Sequence, residues 1–357
     1  MHLQSRKLDF NGQYIYVGLD VHKKSWTVSI YSNELELENF SQPPKAEVLE
    51  KRLSKNYPGA TYLSVYEAGY CGYWIHRKLL QYGIQNIVVN PADVPTSNKE
   101  KRRKRDTVDA RKLSKMLRKG ELIPIYVPEV EQEYDRKLIR THEAITKKTT
   151  RCKNQIKSVL SLFGIEINEE KIKSHWSKAY IKEIEKISKR EENSLSISLR
   201  SYLKELQNLR EIKLEITREI IKLSKTEKYR KDCNILITVP GISTISAMIL
   251  LTELGDINRF KNLDYLCSYV GITPDESSSG EKENVYGITQ RKNAHLRRII
   301  TESSWIAIRK DPAMLMSYKR YLSRMQNNKA IIKISRKLLS KIMHMLRNNE
   351  VYIKGIL

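Results

Sequence analysis

Between Tyr14 and Tyr31 the chain reads YIYVGLDVHKKSWTVSIY, two runs of β-branched and aromatic residues around the polar turn HKKS. So short a turn predicts a pair of adjacent antiparallel strands. The segment ELELENF that follows alternates apolar and charged residues, as a half-exposed third strand should. A helical stretch from about Ala46 to Leu53 comes next, then the apolar strand TYLSVYE. GYWIHRKLLQYG reads as a helix ending at Gly83, and NIVVNP as a strand closed by Pro91. The order is three strands, helix, strand, helix, strand, helix, which predicts an α/β domain on a mixed sheet over residues 1–126.

The next region, residues 127–230, is rich in Lys and Glu and nearly free of Pro and Gly. Its later part alternates four-three steps of apolar residues through Leu195, Leu199, Tyr202, Leu206, Leu209, Ile216, Ile220 and Leu223, with Lys213 as the interruption. An earlier helix sets Leu138, Ile145, Cys152 and Val159 seven apart, with Ile156 and Phe163 at the companion positions. This spacing predicts coiled-coil packing, either an internal hairpin or a dimer interface. Residues 231–357 read as an all-α domain with one Gly/Ser-rich interruption. Its opening LITVPGISTISAMILLTELGD suits a helix-hairpin-helix, whose turn amides can hold a phosphate, or equally a plain αα-hairpin.

Charge narrows the function. The 65 Lys and Arg against 41 Asp and Glu leave a net charge of +24, which favours a polyanionic partner, nucleic acid first. No apolar run is long enough to span a membrane, and the polar N-terminus is no signal peptide. Cys71, Cys152, Cys233 and Cys267 are scattered without C-x-x-C pairing, so free thiols of a cytoplasmic protein are expected rather than a zinc site.

Asp20 ends the first strand and Glu67 the fourth, while Asp106 and Asp109 are three apart at the start of the last helix. Acids at the ends of neighbouring strands plus a group on the last helix form the RNase H-like arrangement. Such carboxylates hold magnesium, a hard cation that prefers oxygen, and paired metals can clamp a scissile phosphate. Helix capping is the plainer role for Asp106 and Asp109, and one residue can do both. Immediately before them, Lys101, Arg102, Arg103, Lys104 and Arg105 form the densest positive run. Beside a phosphate-processing site they would position a backbone without reading sequence.

YVGLDVHKKSWTVSIY, YEAGYCGYWIHRKLLQYGIQNIVVNP and RDTVDARKLSKML resemble the RuvC-like half of the DEDD transposases of insertion sequences. That family includes the Piv DNA invertase and the bridge-RNA-guided recombinases. VPGISTISAMILLTELGDINRFKNLDYLCSYVGITP and SSSGEKENVYGITQRKNAHLRR resemble its C-terminal half. By position, Asp20, Glu67, Asp106 and Asp109 match the acidic tetrad, and Ser279 matches the serine nucleophile, with Ser277 and Ser278 adjacent. The resemblance implies DNA excision and insertion through a 5′-phosphoserine link with a magnesium site. It also implies an oligomer, a guide RNA and a prokaryotic, nucleoid-associated protein. Read alone, SSSGEKEN would be a flexible polar loop. Lys292 and Ser243 stand where the family commonly has glycine.

Further cations of nucleic-acid-binding type are Lys23 in the first turn and Arg291, Lys292, Arg297 and Arg298 after the serine segment. Rival functions are a RuvC-like metal-dependent nuclease or junction resolvase, which uses water, a site-specific invertase, or a non-enzymatic nucleic-acid-binding protein on the same fold.

Overall fold

The computed structural model describes residues 9–95, 106–167, 174–190, 192–279 and 282–355. The chain divides into two compact units, Met1–Val127 and Pro128–Leu357.

In the first unit, strands β1 (Tyr14–Val21), β2 (Trp26–Tyr31), β3 (Glu36–Gln42), β4 (Thr61–Glu67) and β5 (Gln85–Val89) form one sheet in the order β3-β2-β1-β4-β5. The first three pair antiparallel through short turns, whereas β4 runs parallel to β1, and β5 to β4. Parallel neighbours need a crossover, and the helices α1 (Ala46–Asn56) and α2 (Trp74–Gln81) supply it. This is the RNase H-like mixed sheet. Ile15, Val17 and Leu19 of β1 pack with Leu49, Leu53 and Leu79 of those helices on one face. On the other face Val65 and Val89 pack with Leu113 and Met116 of α3 (Asp106–Lys119). With both faces covered, β2 is buried at every position. The third strand begins two residues later than ELELENF suggests. Ser32 Oγ accepts from the amides of Glu34 and Leu35, at 3.2 and 3.1 Å, and holds those residues in a turn.

The second unit is mainly helical. Its helices α4 (Val130–Leu162) and α6 (Ser194–Ser224) pack as an antiparallel pair: Cys152 Sγ lies 3.4 Å from the Tyr202 carbonyl, while Ile139, earlier on α4, shares a core cluster with Ile220, later on α6. Cys152, Ile156 and Leu160 meet Leu199, Leu203 and Leu206 there, and Tyr180 and Ile184 of α5 (Lys178–Ile187) close the seam. The apolar repeat is therefore spent within the chain, as an internal hairpin. Phe163, which the repeat places on the seam, lies past the end of α4 and is exposed.

The rest of this unit comprises α7 (Glu227–Leu236), α8 (Thr244–Leu254), α9 (Leu263–Val270), α10 (Ala294–Lys310), α11 (Pro312–Leu322) and α12 (Asn327–Asn348). Residues Ala247 to Leu254 of α8 are all buried, the sign of a central helix packed on every side. The α7–α8 turn packs against α10. A Cβ on Gly241, at φ +92°, would fall 2.8 Å from Ile306 Cβ, and Ser303 Oγ donates to the Gly241 carbonyl at 3.2 Å. Ser243 caps α8 by accepting from the Ser246 amide, which gives its hydroxyl a local role where the family commonly has glycine.

The serines and the KEN of SSSGEKEN are strand, where the composition suggests a loop. Pro274–Ser279 (β6) and Lys282–Ile288 (β7) pair antiparallel, from Pro274 opposite Ile288 to Ser279 opposite Lys282. The β-formers of NVYGI offer a strand onto which the serine run pairs. No helix among the described residues is long and apolar enough to cross a membrane.

Candidate active site

In the parallel pair β1–β4, Leu19 lies opposite Tyr66, so Asp20 and Glu67, one residue further along, leave the same edge of the sheet. Alternation along β1 puts Ile15, Val17 and Leu19 on the α1–α2 face, and Gly18 and Asp20 on the other. Helix α3 rests directly on Gly18. A Cβ there would fall 2.1 Å from the Ala110 carbonyl oxygen and 2.5 Å from the Ser114 amide. Only glycine admits a helix at this range. Two contacts fix how α3 is turned: Ser114 Oγ donates to Ser29 Oγ at 3.1 Å, and Arg111 Nε to Glu36 Oε1 at 2.8 Å.

Asp109, adjacent to Ala110, thereby joins Asp20 and Glu67 in lining one cavity of about 160 Å³. Three groups that sequence reasoning did not assign share it: His22, Tyr70 and Cys71. His22 Nε2 is 3.4 Å from Asp20 Oδ2, and the Tyr70 hydroxyl accepts from the Lys23 amide at 2.9 Å. Cys71 Sγ donates to the Val21 carbonyl at 3.7 Å. Their signal was adjacency, in DVH after the first acid and AGYCG after the second. Asp106 opens α3, nearly one turn before Asp109. Lys23 is exposed in the β1–β2 turn, and Lys101, Arg102, Arg103, Lys104 and Arg105 lie outside the described residues.

The oxygen donors of Asp20, Glu67 and Asp109 suit a hard divalent cation such as magnesium. Among the described residues, no group of three or more His, Cys, Asp or Glu side chains is gathered tightly enough to hold a metal ion. The donor chemistry fits, with the carboxylates sharing a cavity short of a closed ligand set.

In the second unit, Ser277, Ser278 and Ser279 are consecutive on β6. Past the base of this hairpin the chain is tied down by polar contacts. The Thr289 amide donates to the Thr273 carbonyl at 3.0 Å, and Arg297 donates to the Thr289 carbonyl at 2.5 Å. Asn293 caps α10 through the His295 and Leu296 amides, and its Nδ2 donates to Glu253 Oε2 at 2.8 Å. Glu253 is only 1% exposed and takes a two-pronged pair from Arg140, at 2.6 and 2.8 Å, with Arg136 Nε at 3.9 Å. Burial alone would raise its carboxyl, but hydrogen bonds from Arg140 and Asn293 and the two arginine charges outweigh it and hold the group below the usual carboxylate range. Periodicity could not reveal this pair, because 113 residues separate its members.

The second basic group divides. Arg291 and Lys292 are exposed, whereas Arg297 is half-buried, and Arg298 pairs with buried Glu143 and, at 3.2 Å, with Glu302. His295 contacts the same Glu143.

A family model of DEDD transposases of the IS110 type matches residues 17–165, and the model described as Transposase IS116/IS110/IS902 family matches residues 233–319. The y4rJ protein of Sinorhizobium fredii is 27% identical over 316 residues, covering 82% of this chain and 78% of that protein. The transposase for insertion sequence element IS1111A of Coxiella burnetii is 24% identical over 295 residues, 80% of this chain and 78% of its own. That for IS1533 of Leptospira borgpetersenii is 25% identical over 301 residues, 82% and 84%. With one model running from β1 through α4 and taking in the four acids, and the other running from α7 into α11 and taking in the three serines, the chain belongs to the IS110-type DEDD transposases of insertion sequences.

Proposed function

We propose that this transposase cuts and rejoins DNA by transesterification at Ser279, with Asp20, Glu67, Asp106 and Asp109 forming a divalent-metal site. The convergence of Asp20, Glu67 and Asp109 on one cavity at the sheet edge carries the reading. Carboxylates that line one cavity add their negative charges there, and a cation bound among them would offset that charge. Bound magnesium would supply positive charge for the oxygens of a scissile phosphate. Ser279 Oγ attacks phosphorus and the 3′ oxygen leaves, so the cut strand keeps its 5′ phosphate as an ester on the serine. Attack by a different 3′ hydroxyl reverses the step and exchanges strands without an external energy source. A serine hydroxyl is a weak nucleophile and must lose its proton to react.

Lys23, the run Lys101 to Arg105, Arg291 and Lys292 neutralise backbone phosphates and position the duplex. Arg297 and Arg298, engaged within the protein, keep the chain that follows the serine hairpin in place. The element's DNA ends and target are the substrates. A homo-oligomer guided by an element-encoded RNA, working at the nucleoid in the cytoplasm, completes the reading.

Incubation with DNA carrying the element's ends, followed by denaturation, tests it. Wild type should leave a covalent protein–DNA adduct and Ser279→Ala none, while Asp20→Ala should abolish recombination. Cleavage without an adduct would make water the nucleophile and the protein a metal-dependent nuclease. An adduct that persists in Ser279→Ala would move the reaction to another side chain, Ser277 and Ser278 first.

A further inference from the structure

Trp176 precedes α5 with φ at +67°, a left-handed backbone that so large a residue rarely adopts. Three contacts hold it there. Arg210 of α6 donates to the Trp176 carbonyl at 2.8 Å, Tyr180 meets the indole edge-on at 5.2 Å, and Lys153 Nζ of α4 stands 5.5 Å from the ring centre. The indole remains half-exposed, and His175 beside it is exposed.

Lys157 follows Lys153 by one turn of α4, and Lys213 follows Arg210 by nearly one turn of α6. Burial and then the charges of Arg210, Lys213 and Lys157 push the Lys153 ammonium below lysine's ordinary value. All three of those neighbouring charges are positive. One cation over the ring, a second on its backbone carbonyl and two more near enough to act on the first form an arrangement that a polyanion would relieve. An aromatic face among cations is how unpaired bases are held, because every base offers a π-face to stack and every phosphate a charge to neutralise. A closed duplex keeps its base faces inside the stack and has none to offer an indole.

We propose that this face of the α4–α6 hairpin binds an unpaired nucleic-acid strand, with a base stacked on Trp176 and phosphates along Lys153, Lys157, Arg210 and Lys213. The site needs neither Ser279 nor the acidic cavity, so binding is read without metal or cleavage and its failure leaves the strand-transfer reading intact.

The test uses the full chain and labelled single-stranded RNA, single-stranded DNA and duplex oligonucleotides across a salt series. Trp176→Leu should weaken binding of the single strands about tenfold and leave the duplex unchanged. The double variant Lys157→Gln/Lys213→Gln should weaken them about tenfold and flatten the salt slope by roughly 1.4, two contacts' worth for single strands. Photo-cross-links should map to the peptide carrying Trp176. Tighter binding in the RNA arm or in the DNA arm supports the site and identifies the strand it takes. Cross-links elsewhere, or a Trp176→Leu effect equal on duplex and single strands, would overturn the proposal. Should Trp176→Leu fail to fold, the lysine pair decides alone: single-strand affinity and salt slope equal to wild type would sink it.

Discussion

Gly18 of β1 and Ala110 of α3 touch through their backbones: a methyl group on Gly18 would fall 2.1 Å from the Ala110 carbonyl oxygen. Neither atom belongs to a flexible side chain, so Gly18→Ala must lift the helix from the sheet. Overpacking of this kind costs about 1–3 kcal/mol. It also moves Asp109, next to Ala110, relative to Asp20. Gly18→Ala is therefore expected to lower the melting temperature by several degrees and to reduce DNA cleavage far more than the fraction unfolded explains. A variant that cleaves normally when folded would show that the seat of α3 does not set the site.

The three cavity carboxylates should trade stability against activity. Asp20→Asn, Glu67→Gln and Asp109→Asn keep shape and remove one negative charge each from the shared cavity. Cleavage should fall at least about a hundredfold, since charge stabilisation worth several kcal/mol is lost. Without metal, the variants should melt at or above the wild-type temperature, because repulsion is relieved. Added magnesium should raise the melting temperature of wild type in proportion to the logarithm of its concentration, and that of the variants much less. An equal magnesium response in all four proteins would place the metal elsewhere.

How much of this was legible depended on how local each signal was. Strand and helix order followed from alternation and turns within a few residues, and Asp20 and Glu67 were visible because strand ends are visible. The seam of Cys152, Ile156 and Leu206 was legible as a repeat, but its partner was not, since an identical pattern serves a hairpin or a dimer. The serine run looked like loop because serine carries little strand preference of its own; pairing with β7 made it a strand. Glu253 sits inside an apolar helix, where nothing local announces that Arg140 meets it from α4. His22, Tyr70 and Cys71 are near the acids in sequence, yet only the folded cavity gives them a shared surface.

Glu253 sets an acid limit on the second unit. Its folded carboxyl lies below its unfolded value, so the pair with Arg140 contributes stability above the unfolded carboxylate range, near pH 4.3. That contribution is lost as pH falls through the folded value. The unit should therefore unfold more readily as pH drops below about 4.5, followed by helical circular dichroism. Glu253→Gln leaves Arg136 and Arg140 without an anion and should cost about 3–5 kcal/mol at neutral pH. It should also flatten the stability profile below that pH, because the titrating group is gone. A variant with the wild-type acid profile would assign acid sensitivity to other carboxylates.

Thiol chemistry offers an independent view of the acidic cavity. Burial raises the thiols of Cys152 and Cys233, and pushes Cys267 up to about 11. At pH 8 a thiol of that value is about one part in a thousand thiolate, and it is also inaccessible. Cys71 is half-buried and lines the cavity with Asp20, Glu67 and Asp109. A maleimide should therefore label Cys71 first and the other three only after unfolding, as read by mass spectrometry of peptides. Because the adduct fills space beside the carboxylates, labelling should abolish DNA cleavage, and Cys71→Ser should cleave normally and resist the reagent. Inactivation that proceeds equally in Cys71→Ser would trace the loss to another thiol. Full labelling of Cys71 with cleavage intact would mean that the reacting phosphate does not enter this cavity.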